Sequence, residues 1–280
     1  MLPPELEELI FSFAIYSDWK SAKHLGLVAK RVRQCIIPHL YEVAIFHPYK
    51  IRDGRPRFPS ENLMYHGKYV HHIMFFRSAG AKRIGLNHRP DECLSWCPNV
   101  TSVALWIGST SYEKRLIDQL HTLQFLTHLS FNFGSLAAGL SLSNRSMTFP
   151  SITHVELIGA TTVVVPHEVK GHFPSLTHLA ITAKGRTPMA TLGDFLDCWK
   201  TQLEVFIWYF GTLGPEDLPE VLPTSRYTAL DDQRLVILRY GKSYVNTWNE
   251  GVMKGLGIWQ VAEETVKQRR RTAGQVKQGS

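Results

Sequence analysis

Leu126-Thr127-His128-Leu129-Ser130-Phe131 is the stretch on which the fold turns, because it returns as Ile152-Thr153-His154-Val155-Glu156-Leu157 and again as Leu176-Thr177-His178-Leu179-Ala180-Ile181. The pattern is apolar, two variable residues, apolar, one variable residue, apolar. A close copy spans Val100–Leu105, and weaker ones span Val70–Phe75, Leu203–Trp208 and Leu235–Tyr240. The fourth positions Val103, Leu129, Val155, Leu179 and Phe206 are separated by steps of 26, 26, 24 and 27 residues. Alternation over so short a run is the period of a strand. Its return at a nearly fixed interval means a repeated supersecondary unit.

A period of roughly 20–29 residues around L-x-x-L-x-L is that of a leucine-rich-repeat solenoid. The predicted architecture is therefore α/β, with an irregular repeat array over residues 67–241 and a parallel sheet. Thr110-Ser-Tyr-Glu113 reads as a capping box before Leu116, Ile117 and Leu120, and Thr191-Leu-Gly-Asp194 as another before Phe195, Leu196 and Trp199. Residues 134–148 and 159–172 read as loops. Trp248, Val252, Leu256, Trp259, Ala262 and Val266 fall at helical intervals, which predicts a capping helix over 242–271, closing the open end of the last repeat. Residues 272–280 are expected to be a disordered basic tail. Residues 47–66 carry Pro48, Gly54, Pro56 and Pro59 and read as an irregular linker.

Within each strand the first, fourth and sixth positions turn inward, and the third and fifth face outward on a concave sheet. The third positions are His72, Ser102, His128, His154, His178, Val205 and Ile237; the fifth are Met74, Ala104, Ser130, Glu156, Ala180, Ile207 and Arg239. Strands about 4.8 Å apart make His128, His154 and His178 a ladder, with Glu156 beside it. Three readings of the ladder stand. It is a solvated polar column; or, with His72 and Glu156, it is a partner-binding stripe whose protonation varies near neutral pH; or it binds a metal. Metal comes last, because a flat ladder does not converge on a tetrahedral point. No metal and no cofactor are expected.

The composition is that of an ordinary globular chain, 280 residues and 44% hydrophobic. Of the net charge of +7, five cations (Lys267, Arg269, Arg270, Arg271 and Lys277) follow the last acidic residue, Glu264, which leaves +2 on the body. The high pI thus reports one end rather than a basic face, and nucleic-acid binding is confined to that end as a minor reading. Cys35, Cys93, Cys97 and Cys198 are too few for a disulfide framework, and Cys93-x3-Cys97 near His88 fits no usual structural zinc spacing. Reduced thiols imply a cytoplasmic or nuclear protein. The apolar stretch Leu9–Ile15 follows Glu5, Glu7 and Glu8 rather than basic residues, the wrong polarity for a secretion signal, and no apolar run reaches membrane-spanning length. The usual nucleophile, phosphate-loop and zinc-hydrolase motifs are missing, so the chain is not expected to be an enzyme.

The first 46 residues differ from the rest. Pro3 and Pro4 open a helix with Leu6, Leu9, Ile10 and Phe13 at helical spacing, and two further helical stretches cover about 19–30 and 31–41. Leu2-Pro3-Pro4-Glu5-Leu6, Ile10-Phe11, Leu27-Val28-Ala29-Lys30 and the closing Pro38-His-Leu40-Tyr41 together resemble an F-box. With the repeats behind it, the whole chain resembles fungal-type F-box proteins with divergent leucine-rich repeats. The resemblance implies docking on the Skp-type adaptor of a cullin–RING ubiquitin ligase through Leu2, Pro3, Leu6, Ile10, Leu25, Leu27 and Val28. It also implies capture of an unknown target protein by the repeats. The residues alone leave two other readings open: a three-helix cap on the array, and a repeat scaffold without ligase docking.

Overall fold

The computed structural model describes residues 3–17, 24–27, 29–46, 61–76, 89–107, 113–132, 147–159, 166–183, 189–210, 220–221, 232–239, 244–254 and 257–278. The chain divides into two compact units, Met1–Leu126 and Thr127–Ser280.

In the first unit, helix α1 (Pro4–Ser17) starts on Pro4, whose missing N–H costs a first turn nothing. The Pro3 carbonyl accepts from the N–H groups of Leu6 and Glu7, both at 3.1 Å. Residues 24–27 form a helical turn, and α2 spans Lys30–Tyr41. Ile36 is the fully buried centre of this helical group, packed against Phe11, Leu25, Val32 and Leu40. Polar ties join the two helices at their rims: Arg31 Nε to Glu7 Oε2 at 3.0 Å, and Ser12 Oγ with His39 Nε2 at 3.1 Å.

Strand β1 (Val43–Phe46) follows α2 directly, then helix α3 (Glu61–His66), β2 (His72–Phe76), α4 (Pro90–Ser95), β3 (Ser102–Trp106) and α5 (Glu113–Thr122). Strands β1, β2 and β3 are parallel, in the register Ala44↔Ile73↔Val103. Residues 43–46 were assigned from sequence to the helical unit, and the structure corrects this: Val-Ala-Ile-Phe pairs with β2. Its small Ala44 occupies the position that carries Ile or Val in the neighbouring strands, which hides the phrase. Gly67 is required by a close approach, since a Cβ there would lie 2.0 Å from the Trp96 carbonyl oxygen.

The second unit contains β4 (His128–Asn132), β5 (His154–Ile158), α6 (Pro166–His172), β6 (His178–Ala183), α7 (Met189–Cys198), β7 (Val205–Phe210), β8 (Glu220–Val221), β9 (Leu235–Arg239), α8 (Tyr244–Lys254) and α9 (Ile258–Gln278). Leu129, Val155, Leu179, Phe206 and Leu235 are register partners across parallel β4, β5, β6, β7 and β9, and β8 is antiparallel on β9. The interior behind the sheet holds the fully buried Trp199, Phe195, Phe173 and Phe206. Arg234, paired with Asp232 at 2.6 Å, donates to the carbonyls of Leu196, Trp199 and Lys200 and so satisfies the C-terminal end of α7.

Several expectations change here. Residues 166–172, expected in a loop, form α6, begun by Pro166. Helix α7 begins at Met189, ahead of the expected cap at Thr191. In β9 the sequence placed Leu238 opposite Phe206, but the partner is Leu235. That odd shift exchanges the faces of the strand and puts Val236 and Leu238 where Ile237 was expected. The C-terminal segment is two helices rather than one, and α9 runs on to Gln278, through residues 272–278 expected to be disordered. Ala273, Gln275, Lys277 and Gln278 are good helix formers and outnumber Thr272, Gly274 and Val276 in that stretch.

The largest correction concerns where α9 lies. It does not close the end of the array. Ile258, Ala262 and Val266 pack, with Trp259 and Val261, on Ala180, Val205, Ile207, Tyr209, Val236 and Leu238. Ala180, Val205 and Ile207 are among the positions expected to face open solvent, and Val236 and Leu238 join them through the shifted register of β9. Arg269 Nη1 reaches the Leu235 carbonyl at 2.5 Å, so α9 crosses from β5–β6 at Trp259 to β9 at Arg269. Ten residues of helix advance about 15 Å, close to three strand spacings of about 4.8 Å.

Candidate functional site

The ladder forms. The rings of His128 and His154 stack with centroids 4.0 Å apart and planes 18° from parallel; those of His154 and His178 stack at 4.0 Å and 15°. In-register pairing of neighbouring parallel strands places them so. Each ring is held by the residue before it. Nδ1 lies 2.9 Å from Thr127 Oγ1 for His128, and 2.8 Å from Thr153 Oγ1 and Thr177 Oγ1 for His154 and His178. The Thr177 and Thr153 hydroxyls also reach back to the carbonyls of Thr153 and Thr127, at 3.3 and 3.4 Å. A hydroxyl has one proton. When it goes to the carbonyl, the Thr oxygen accepts Nδ1–H, and the imidazole keeps its lone pair on Nε2.

Helix α9 adds two residues that the ladder alone did not suggest. Trp259 stands perpendicular to His154 and His178, with centroids at 5.2 and 5.9 Å. Glu263 Oε1 lies 3.6 Å from His178 Nε2, and its other oxygen, Oε2, lies 3.7 Å from Lys267 Nζ. Glu263 is one helical turn after Trp259, so both reach the same strip of sheet. Beside the ladder, buried Ser130 donates to buried Glu156 at 2.6 Å.

Burial dominates the electrostatics. It lowers the pKa of His128 to about 4, with His178 contributing. It lowers His154 to about 2, with His128 and His178 contributing. His178 is lowered too, first by burial, while Glu263 and Glu204 pull the other way. The column is thus neutral at pH 7. A stripe whose charge varies near neutral pH, expected from mutual repulsion alone, does not fit: desolvation outweighs repulsion and moves the titration into acid.

The remaining expected site residues separate. Glu156 and His178 are buried, so they are not an open partner-binding stripe; His128 and His154 are partly exposed. His72 lies in the first unit, on β2, in register with Val43 and Ser102. Of the expected adaptor-docking residues, Pro3, Leu6, Ile10 and Leu27 are exposed, whereas Leu25 packs inward on Ile36. Leu2 and Val28 lie outside the described residues, as does His88. All four cysteines are free thiols, and burial pushes Cys93 and Cys97 up to about 12, which makes them inert. Cys198 Sγ sits 3.5 Å from His167 Nδ1, but at the C-terminal end of α7 with its pKa raised by burial. That is the wrong end of a helix for a thiolate.

The threonines were legible as the second residue of the repeated Thr-His pair. Trp259 and Glu263 were not, because nothing local says which surface a helix will cover. Among the described residues no helix is long and apolar enough to cross a membrane. No family model matches the chain, and no curated protein matches it.

Proposed function

We propose that this chain is a non-enzymatic substrate-receptor subunit of an SCF-type cullin–RING ubiquitin ligase, acting in the cytoplasm or nucleus. Its N-terminal helices dock on a Skp-type adaptor, and its leucine-rich-repeat-like units hold a target protein. The observation that carries the reading is the outer face of α1. Leu6, Leu9, Ile10 and Phe13 are 47%, 65%, 51% and 76% exposed, and Leu27 nearby is 80% exposed. Soluble chains rarely leave so many large apolar side chains together in water unless a partner covers them. Burying each one contributes roughly 1.5–3 kcal/mol, and a few such anchors dominate an interface. The resemblance of Leu2–Phe11 and Leu27–Lys30 to an F-box names that partner. Target capture falls to the partly exposed end of the ladder, His128 and His154, since Glu156 and His178 are covered.

The test is co-purification of the full chain with a Skp-type adaptor, wild type against the double substitution Leu6→Asp plus Ile10→Asp. Wild type retains the adaptor and the double variant loses at least about tenfold in affinity. If wild type fails to retain it, the repeat scaffold without ligase docking replaces this reading.

A further inference from the structure

We propose that His154, His178 and Glu263 form a site for one divalent transition ion of the zinc class, which staples α9 to β5 and β6. The site does not rest on adaptor docking, and an ion there engages His154 and leaves His128 as the ladder residue open to a target. Two imidazoles and one carboxylate are a common zinc donor set, with a fourth position left for water. One ligand atom from each of the three residues lies within 4.8 Å of the other two. Three residues from three separate elements converge here, which a ladder on the sheet alone does not achieve.

Three details favour an ion over chance proximity. The His178 side chain is only 9% exposed, and its Nε2 faces Glu263 Oε1 at 3.6 Å. That separation is too long for a hydrogen bond, but near the roughly 3.3 Å between two ligand atoms that share a tetrahedral ion at about 2.0–2.1 Å. Thr153 and Thr177 engage Nδ1 of the two rings, the outer partner that ligating histidines ordinarily have, which frees Nε2. Glu263 Oε2 is likewise steadied by Lys267, and Trp259 walls the site against both rings. Coordination does require movement. Stacked rings aim their in-plane lone pairs side by side, so the imidazoles must splay until both meet the ion. The farthest ligand atoms must then close by up to about 1.5 Å, within the reach of side-chain torsions on a fixed backbone.

The experiment uses the untagged full chain, stripped with chelator and titrated with Co2+ and then Zn2+. The expected result is one equivalent of Co2+ with a visible d–d band, displaced by Zn2+, and a melting temperature that rises with free Zn2+. Glu263→Gln and His154→Gln each lose at least about 100-fold in Zn2+ affinity, since losing even an outer partner of a ligand costs about 10–100-fold. His128→Gln, outside the trio, keeps full affinity and the Zn2+-dependent rise in melting temperature, which separates loss of the site from loss of the fold. Failure of wild type to bind Zn2+ at micromolar concentration overturns the proposal, and so does binding that Glu263→Gln leaves unchanged.

Discussion

Phe13 on α1 is 76% exposed, while Ile207 on β7 is fully buried, although both belong to apolar stripes that their own elements do not cover. In the second unit the chain supplies the cover itself: α9 lays Ile258, Ala262 and Val266 over Val205, Ile207, Val236 and Leu238. In the first unit, α1 packs its Phe11 side on Ile36 and leaves Leu6, Leu9, Ile10 and Phe13 to water. An apolar stripe that the chain covers is core, and its energy goes into folding. One that it leaves bare is available for association. The two stripes should therefore respond oppositely to the same kind of substitution.

Breaking the covered stripe has the largest effect. Ala262 is fully buried on the sheet-facing side of α9, so Ala262→Asp places a carboxylate in the apolar cluster that holds Ile207, Val236 and Leu238. A loss of about 3–5 kcal/mol is expected in urea unfolding. A loss under about 1 kcal/mol would mean that α9 is a loosely held lid.

Acid attacks the same layer. The folded pKa values of His128 and His154, about 4 and about 2, lie below the ordinary unfolded value near 6.5. The unfolded chain therefore binds more protons in between, and stability rises with pH through that window. It is complete above about pH 6.5 and is lost as pH falls toward 4. The loss is on the order of 3 kcal/mol for His128 alone. With chelator present, His128→Gln should flatten this slope in denaturation curves measured from pH 7 to pH 4.

Close packing in the first unit gives a middle-sized effect. Gly67→Ala drives its Cβ toward the Trp96 carbonyl, 2.0 Å away, with Cys97 Sγ at 3.2 Å. Backbone must shift, at about 1–3 kcal/mol. Arg234→Ala should cost about 1–2 kcal/mol, because the carbonyls that end α7 lose their donors. The same arginine acts on Asp232. Burial would raise that carboxyl, but hydrogen bonds from Arg234 hold it below its usual range. Its contribution is therefore present at neutral pH and fades as acid protonates Asp232 in the folded state, so the Arg234→Ala penalty should shrink at low pH.

The difference between the two stripes also marks how far sequence reaches. The strands around Val103, Leu129, Val155, Leu179 and Phe206 were legible because alternation and a near-constant interval coincide there. β1 was not, because Ala44 is too small to mark the phrase. The register of β9 was not, because Leu235, Val236, Ile237 and Leu238 are all apolar and alternation disappears when both faces are buried. The histidine ladder followed from strand periodicity. Its cover did not, since Trp259, Ala262 and Val266 suit the end of an array as well as its face, and that choice is settled by contacts far apart in sequence. Ala180 and Ile207 at the fifth positions were the available signal, the one too small and the other too apolar for an open wall.

The smallest expected effect on stability lies on the bare stripe, and it separates core from docking surface most cleanly. Leu9→Ser and Phe13→Ser remove side chains that are 65% and 76% exposed. Each should alter unfolding free energy by no more than about 0.5 kcal/mol, as surface substitutions away from caps and networks do. Serine lowers helix propensity slightly and removes apolar area from water, and the two changes oppose one another. If α1 were merely a cap for the sheet, both variants would also behave as wild type in adaptor co-purification. Under the docking reading they weaken retention at unchanged stability. A destabilisation above about 2 kcal/mol in either variant would instead mean that another part of this chain packs on α1.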